Sequence, residues 1–260
     1  MAGATGCAGL MSFSGNAFLM SEEQEAELGA KFKGELEKEI VYVREPVVTD
    51  YIEELGRRIS RNSPSSPFEP KFYVIENDEI NAFAIPGGSV FVHTGLIAAA
   101  DDEAELAGVV AHEVGHVVRR HSARALSSQM TLDFAGDLFE RVLLGEDSLP
   151  VFDALTGLTQ QWAILKHSRV DESEADAIAV RSLHRAGYDP TALTAFFEKL
   201  VSKYGDRGPV ATFFASHPAT GSRINEVNAH VATLPPKDYE RPITDLRRVQ
   251  GRLRELGMAQ

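Results

Sequence analysis

Residues 101–124 read DDEAELAGVVAHEVGHVVRRHSAR, and the five from His112 to His116 form an H-E-x-x-H motif. Asp101, Asp102 and Glu103 supply an N-cap and first-turn negative charge, where the helix dipole favours it. Leu106, Ala107, Val109, Val110, Val114, Val117 and Val118 then recur at helical spacing and make a broad apolar face. Arg119, Arg120 and Arg124 fall towards the C-terminal end, as the dipole prefers. A helix this apolar belongs in the core. On it His112 and His116 lie one turn apart on one face, so two imidazole nitrogens can meet one cation. Glu113 is held beside that cation as a base for water. Buried histidines need partners, and a divalent ion is a direct one.

A hydrolytic zinc site takes three protein ligands and leaves one position open. The chain has one cysteine, so a thiolate-rich structural site is excluded. Downstream candidates for the third ligand are His121, His167, Glu172, Glu174, Asp176, His184, His217 and His230. His121, five residues past His116, is rotated well off the ligand face of a continuous helix. The stretch Ser168-Arg169-Val170-Asp171-Glu172-Ser173-Glu174-Ala175-Asp176 opens a helix that runs through Leu183 to a stop at Gly187. On it Glu172, Asp176, Ala179 and Leu183 share a face, which aims two carboxylates inward. An ordinary charged helix start is the competing reading.

The pairing of His112-Glu113-x-x-His116 with Arg169-x-x-Glu172-x-Glu174-Ala175-Asp176 resembles the gluzincin family that contains HtpX and the CAAX prenyl endopeptidases. It is most similar to the soluble bacterial branch represented by BepA and LoiP. Three further blocks match in order: Asn81-Ala82-Phe83-Ala84 with Pro86-Gly87-Gly88, then Thr94-Gly95-Leu96, then Ser216-His217-Pro218 with Arg223. The matching blocks cover about residues 40–230. The resemblance implies an α+β fold, a mainly helical zincin-type metallopeptidase domain with a small β-sheet packed on the H-E-x-x-H helix. It implies one Zn2+ per chain held by His112, His116 and Glu172, with Glu113 as general base. Asp176 is implied to accept from a ligand histidine, and Arg223 to brace the loop of His217 and Pro218 or the Glu172 helix. Glu174 is the main rival to Glu172 as ligand: two residues away, it points to roughly the opposite side of the helix, so only one of the two can face the metal. His217 is implied to lie near the zinc, as a plug on its open position or a stabiliser of the oxyanion. A histidine bonded to backbone before Pro218 is the plainer reading.

The implied activity is a zinc-dependent endopeptidase, in which water activated at the metal attacks a peptide carbonyl while Glu113 carries the proton. Implied substrates are unfolded or misassembled envelope proteins. The alternative is a zinc-containing assembly factor or chaperone with little or latent protease activity, which has less need of Glu113. Pro70–Glu76, Asn81–Ile85 and Ser89–Thr94 read as strands, and an edge strand near the zinc would take an extended peptide by strand addition.

Elsewhere the pattern is helical framework. Apolar stripes mark helices over 22–40 and 46–62, and further helices are expected from Asp189-Pro190 to Tyr204, from Thr220 to Val231 and from Tyr239 to Gly257. Residues 128–166 alternate apolar runs with Gly136, Gly145, Pro150 and Gly157, and read equally as a helical flap or as core. Leu158–Lys166, with the only tryptophan, is expected near the site. No run reaches the roughly 18 apolar residues of a membrane span. The 260 residues, 43% hydrophobic, suit one domain over 22–260 behind an N-terminal segment 1–21. A net charge of −12 argues against nucleic acid as a partner. Ala4-Thr5-Gly6-Cys7 resembles the tail of a lipobox, although the apolar stretch that should precede it is missing. Relatives of this branch are envelope lipoproteins, so a periplasmic or outer-membrane-anchored location is the expectation.

Overall fold

The computed structural model describes residues 20–133, 167–205, 207–218, 221–239 and 244–258. Cys7, the run 134–166 with Trp162, and so the lipobox and most of the flap readings, lie outside the described residues. Ten helices are described: α1 (Glu22–Leu36), α2 (Pro46–Arg61), α3 (Thr94–Ala99), α4 (Glu103–Arg119), α5 (His121–Asp133), α6 (Arg169–Ala186), α7 (Thr191–Tyr204), α8 (Ala211–Ser216), α9 (Gly221–Ala232) and α10 (Thr244–Glu255). With them is one sheet of β1 (Lys71–Ile75), β2 (Ala82–Ala84) and β3 (Ser89–His93). The α+β, mainly helical architecture read from the sequence is borne out.

The three strands fall inside the stretches 70–76, 81–85 and 89–94. Their order is β1-β3-β2, with β1 parallel and β2 antiparallel to β3. The β2–β3 turn passes through Gly87 at φ 78° and Gly88 at φ 87°, a backbone that favours glycine. Val74, Val90, Val92, Ala82 and Ala84 face the main core, and Ile75 and Phe91 join a second cluster with Met20, Phe32, Ile85 and Leu126. Main-chain bonds from Val43 to Val74 and from Glu76 to Val41 cover the outer side of β1. β2 is therefore the edge left among the described strands, and it is short, with Ala82 and Ala84 buried.

Helix α4 is the axis of the molecule. Asp102 caps it by accepting from the Glu105 amide, and every residue from Glu103 to Val117 is buried. The sheet, α2, α6 and α7 all pack against it. Its end departs from the sequence reading, which carried one helix through Arg124. The chain turns at Arg120, whose φ of 54° makes it the one non-glycine residue in the left-handed region among those described. A second helix, α5, starts at once at His121. One boundary also moves, with α1 stopping at Leu36 rather than Ile40, and Tyr239, read as the start of the last helix, is not helical.

Candidate metal centre

Two helices and one short turn build the centre. Helix α6 opens with a capping box, in which the Ser168 hydroxyl accepts from the Asp171 amide and the Asp171 carboxylate accepts from the Ser168 amide. It ends at Gly187 in the left-handed conformation, as its sequence predicted. It packs close against α4 at Gly115, where a Cβ would meet the Ala175 carbonyl oxygen at 2.8 Å and its Cα at 2.9 Å. That glycine lets the two backbones touch, and Glu172 then faces the histidines.

Nε2 of His112 and Nε2 of His116 are 2.9 Å apart. The Glu172 carboxylate lies 3.4 Å from the first and 3.3 Å from the second. His217, at the end of α8, reaches in from the other side, with Nδ1 3.2 Å from Nε2 of His112 and 3.0 Å from Glu172. One donor atom from each of these four buried side chains lies within 4.8 Å of all the others. Glu113 adjoins the group, its Oε1 buried without a hydrogen-bond partner and 3.6 Å from Nε2 of His217.

The surroundings are as ordered as the cluster. Asp176 accepts from Nδ1 of His112 at 2.9 Å, which leaves Nε2 facing the cluster. Arg223 is buried, and holds Asp176 at 2.8 Å and Glu172 at 2.7 Å. Glu174 points away, bonded to Arg119 and to His121. His184 instead pairs with Tyr239, and His230 sits at the far end of α9. Sequence reasoning had only put His167 among the candidates. It stacks on the His116 ring, with centroids 4.0 Å apart. Its place just before the Ser168 cap was the one available signal.

Charge balance shows what the centre would accept. Burial works against protonation of His112, yet the Glu172 and Asp176 carboxylates outweigh it and hold the ring's pKa up at about 9. Burial drives His116 well below the usual imidazole range, and pushes His167 down to about 3 and His121 to about 4. Burial raises Glu113, whereas Glu172 sits well below the carboxylate range because His217 and His112 overcome the burial penalty. Imidazole nitrogens and a carboxylate converge here, a donor set that fits a divalent metal with nitrogen and oxygen preferences.

The family model for peptidase family M48 matches residues 46–231. The chain belongs to that family. M48 relatives include the beta-barrel assembly-enhancing protease of Escherichia coli K12, 35% identical over 84% of this chain and 46% of its own length. Another is the mitochondrial metalloendopeptidase OMA1 of Schizosaccharomyces pombe, 30% identical over 76% of this chain and 56% of that protein. The bovine OMA1 protein is 29% identical over 81% of this chain and 41% of its own. The chain thus spans about half the length of the curated M48 relatives it matches. The family read from five motifs is the family found. Among the described residues no helix is long and apolar enough to cross a membrane.

Proposed function

We propose that the chain is a zinc-dependent endopeptidase, with His112, His116 and Glu172 as zinc ligands and Glu113 as general base. The observation that carries this reading is the unpartnered, buried Oε1 of Glu113 beside four convergent donors. An orphaned buried carboxylate oxygen costs about 1–3 kcal/mol, and a reacting water is the partner this one lacks. Membership of M48 supports the same chemistry. A zinc ion bound there would supply Lewis acidity to water and to the scissile carbonyl.

The chain's own residues do the rest. Glu113 takes the proton from the attacking water as the C–O bond forms. It then delivers that proton to the amide nitrogen as the C–N bond breaks, leaving a carboxylate and an amine. Burial raises its pKa, which suits a group that must hold a proton between those steps. Asp176 and Arg223 hold His112 and Glu172 in place. His217 lies close enough to Glu172 and Glu113 either to fill the open coordination position or to turn towards an oxyanion.

Substrate would lie along β2, the edge not already paired. The Ala84 carbonyl accepts from the Ser122 hydroxyl at 2.9 Å, so pairing there displaces or excludes that bond. Main-chain pairing reads little sequence, which suits unfolded or misassembled proteins. The likeness to the E. coli beta-barrel assembly-enhancing protease supports envelope proteins as the class, and a periplasmic or outer-membrane-anchored location with it. The rival, a zinc-containing assembly factor or chaperone with little or latent protease activity, predicts little or no turnover. The deciding experiment is cleavage of unfolded casein by the zinc-loaded chain, with Glu113→Gln alongside. Loss of at least 100-fold in the variant, with zinc content unchanged, is expected; equal cleavage by both removes Glu113 from its role. No cleavage by the unaltered chain, with zinc bound, favours the assembly factor.

A further inference from the structure

His121 fell off the ligand face in the sequence because one continuous helix was assumed. The structure breaks that helix at Arg120. A left-handed residue other than glycine costs about 1–2 kcal/mol, and here it is held in place: Nε of Arg120 donates to Glu25 at 2.6 Å, and a second nitrogen donates to the Met20 carbonyl at 3.1 Å. The break turns the wholly buried His121 ring back onto the preceding helix. There its Nδ1 meets Nδ1 of His116 at 2.8 Å.

Two ring nitrogens at that distance share one proton, and the rest of the site decides which carries it. A His116 whose Nε2 lone pair faces a cation keeps its proton on Nδ1, so His116 donates and His121 accepts. The proton of His121 is then on Nε2, which points at Glu174 at 3.1 Å and at Asp171 at 3.4 Å. Those two carboxylates are fixed by Arg119, 2.8 Å from Glu174, and by Arg124, 2.5 Å from Asp171. Every link has one donor and one acceptor.

We propose that His121 is a positioning residue for the metal centre, setting the tautomer and ring plane of His116 and tying it to the Glu174–Asp171 carboxylates. The proposal rests on the zinc reading above. Each ligand histidine then has an anchor: His112 bonds directly to Asp176, and His116 reaches its carboxylates through His121. His121, Asp171 and Glu174 also lie close enough to hold a second cation. Arg119 and Arg124 already place two positive charges against those carboxylates, so the relay is the reading the charges favour.

The test crosses two substitutions. His121→Phe keeps the ring volume and removes both bonds. His121→Asn leaves a cavity but restores an acceptor near the Nδ1 position. Zinc affinity is measured by competition with a chromogenic chelator, the Co2+-loaded proteins are compared by visible absorption, and thermal melting of the metal-free chains serves as the fold control. The expected order is the natural chain, then Asn, then Phe, with Phe about 10- to 100-fold weaker and its Co2+ bands shifted. Phe binding zinc as tightly as Asn or tighter, with an unshifted Co2+ spectrum, overturns the proposal, because packing alone would produce that order. Should the Phe variant fail to fold, Glu174→Gln replaces it: faster zinc release than the natural chain supports the relay, and an unchanged rate overturns it. A natural chain that binds no zinc defeats the metal reading itself, and this inference with it.

Discussion

Single side chains separate what a residue type announces from what its surroundings make of it. Glu172 and Glu174 are the same residue two positions apart. One enters the His112–His116–His217 cluster and the other bonds Arg119 and His121, as helical geometry requires. His93 is a histidine whose neighbours decide its behaviour without any metal. It lies at the end of β3, buried, with Nδ1 unpartnered and the Phe83 ring edge-on at 5.9 Å. Burial outweighs a main-chain bond at Glu79 and lowers its pKa from 6.5 to about 4. Between those values the unfolded chain binds the proton and the folded chain does not. Stability contributed by neutral His93 is therefore present above pH 6.5 and lost as pH falls towards 4, at up to about 1.4 kcal/mol per pH unit. Urea unfolding midpoints of the natural chain and of His93→Gln, followed from pH 7 to 4, should converge on acidification; parallel curves would show that His93 does not titrate this way.

At the scale of elements, the distance between α4 and α6 is the quantity on which the centre depends. Gly115 sets it, because the Ala175 backbone occupies the space a methyl group would need. Gly115→Ala should force the helices apart and cost about 1–3 kcal/mol of stability. It should also weaken zinc at least tenfold, because Glu172 lies one turn from Ala175. Gly34, in α1, has nothing within 4 Å of the same position. Gly34→Ala should leave zinc affinity alone and stabilise the chain by about 0.5–1 kcal/mol. Chelator competition and thermal melts of the two variants check both statements, and equal zinc affinity in the Gly115 variant would refute the spacing argument.

Across the whole molecule, the donors come from three separate stretches: α4, the first turn of α6, and the end of α8 at His217. A bound cation would therefore tie together segments about 100 residues apart in sequence, from His112 to His217. Loading zinc to 1,000 times its dissociation constant should add about 4 kcal/mol to folding stability. Chelation should accordingly lower the melting temperature by several degrees, and restoring zinc should return it; a melt indifferent to chelator would contradict a metal centre of this kind. Much of this was legible without coordinates. His112, Glu113 and His116 could be singled out because helical periodicity converts spacing into facing, Glu172 only because the resemblance to a known family chose it among the acids on its helix, and caps could be placed because Ser, Asp and Gly positions are local signals. The break at Arg120 could not be read, since arginine carries no preference for a left-handed backbone and Glu25, which holds it, is 95 residues distant. With that break went the role of His121 and the part-covered β2 edge. The sequence by itself determined which residues could bind a metal, because that depends on side-chain chemistry and local period. Only the tertiary structure decided how the proposed ligands are anchored, because those anchors are contacts between chain segments that no local rule connects.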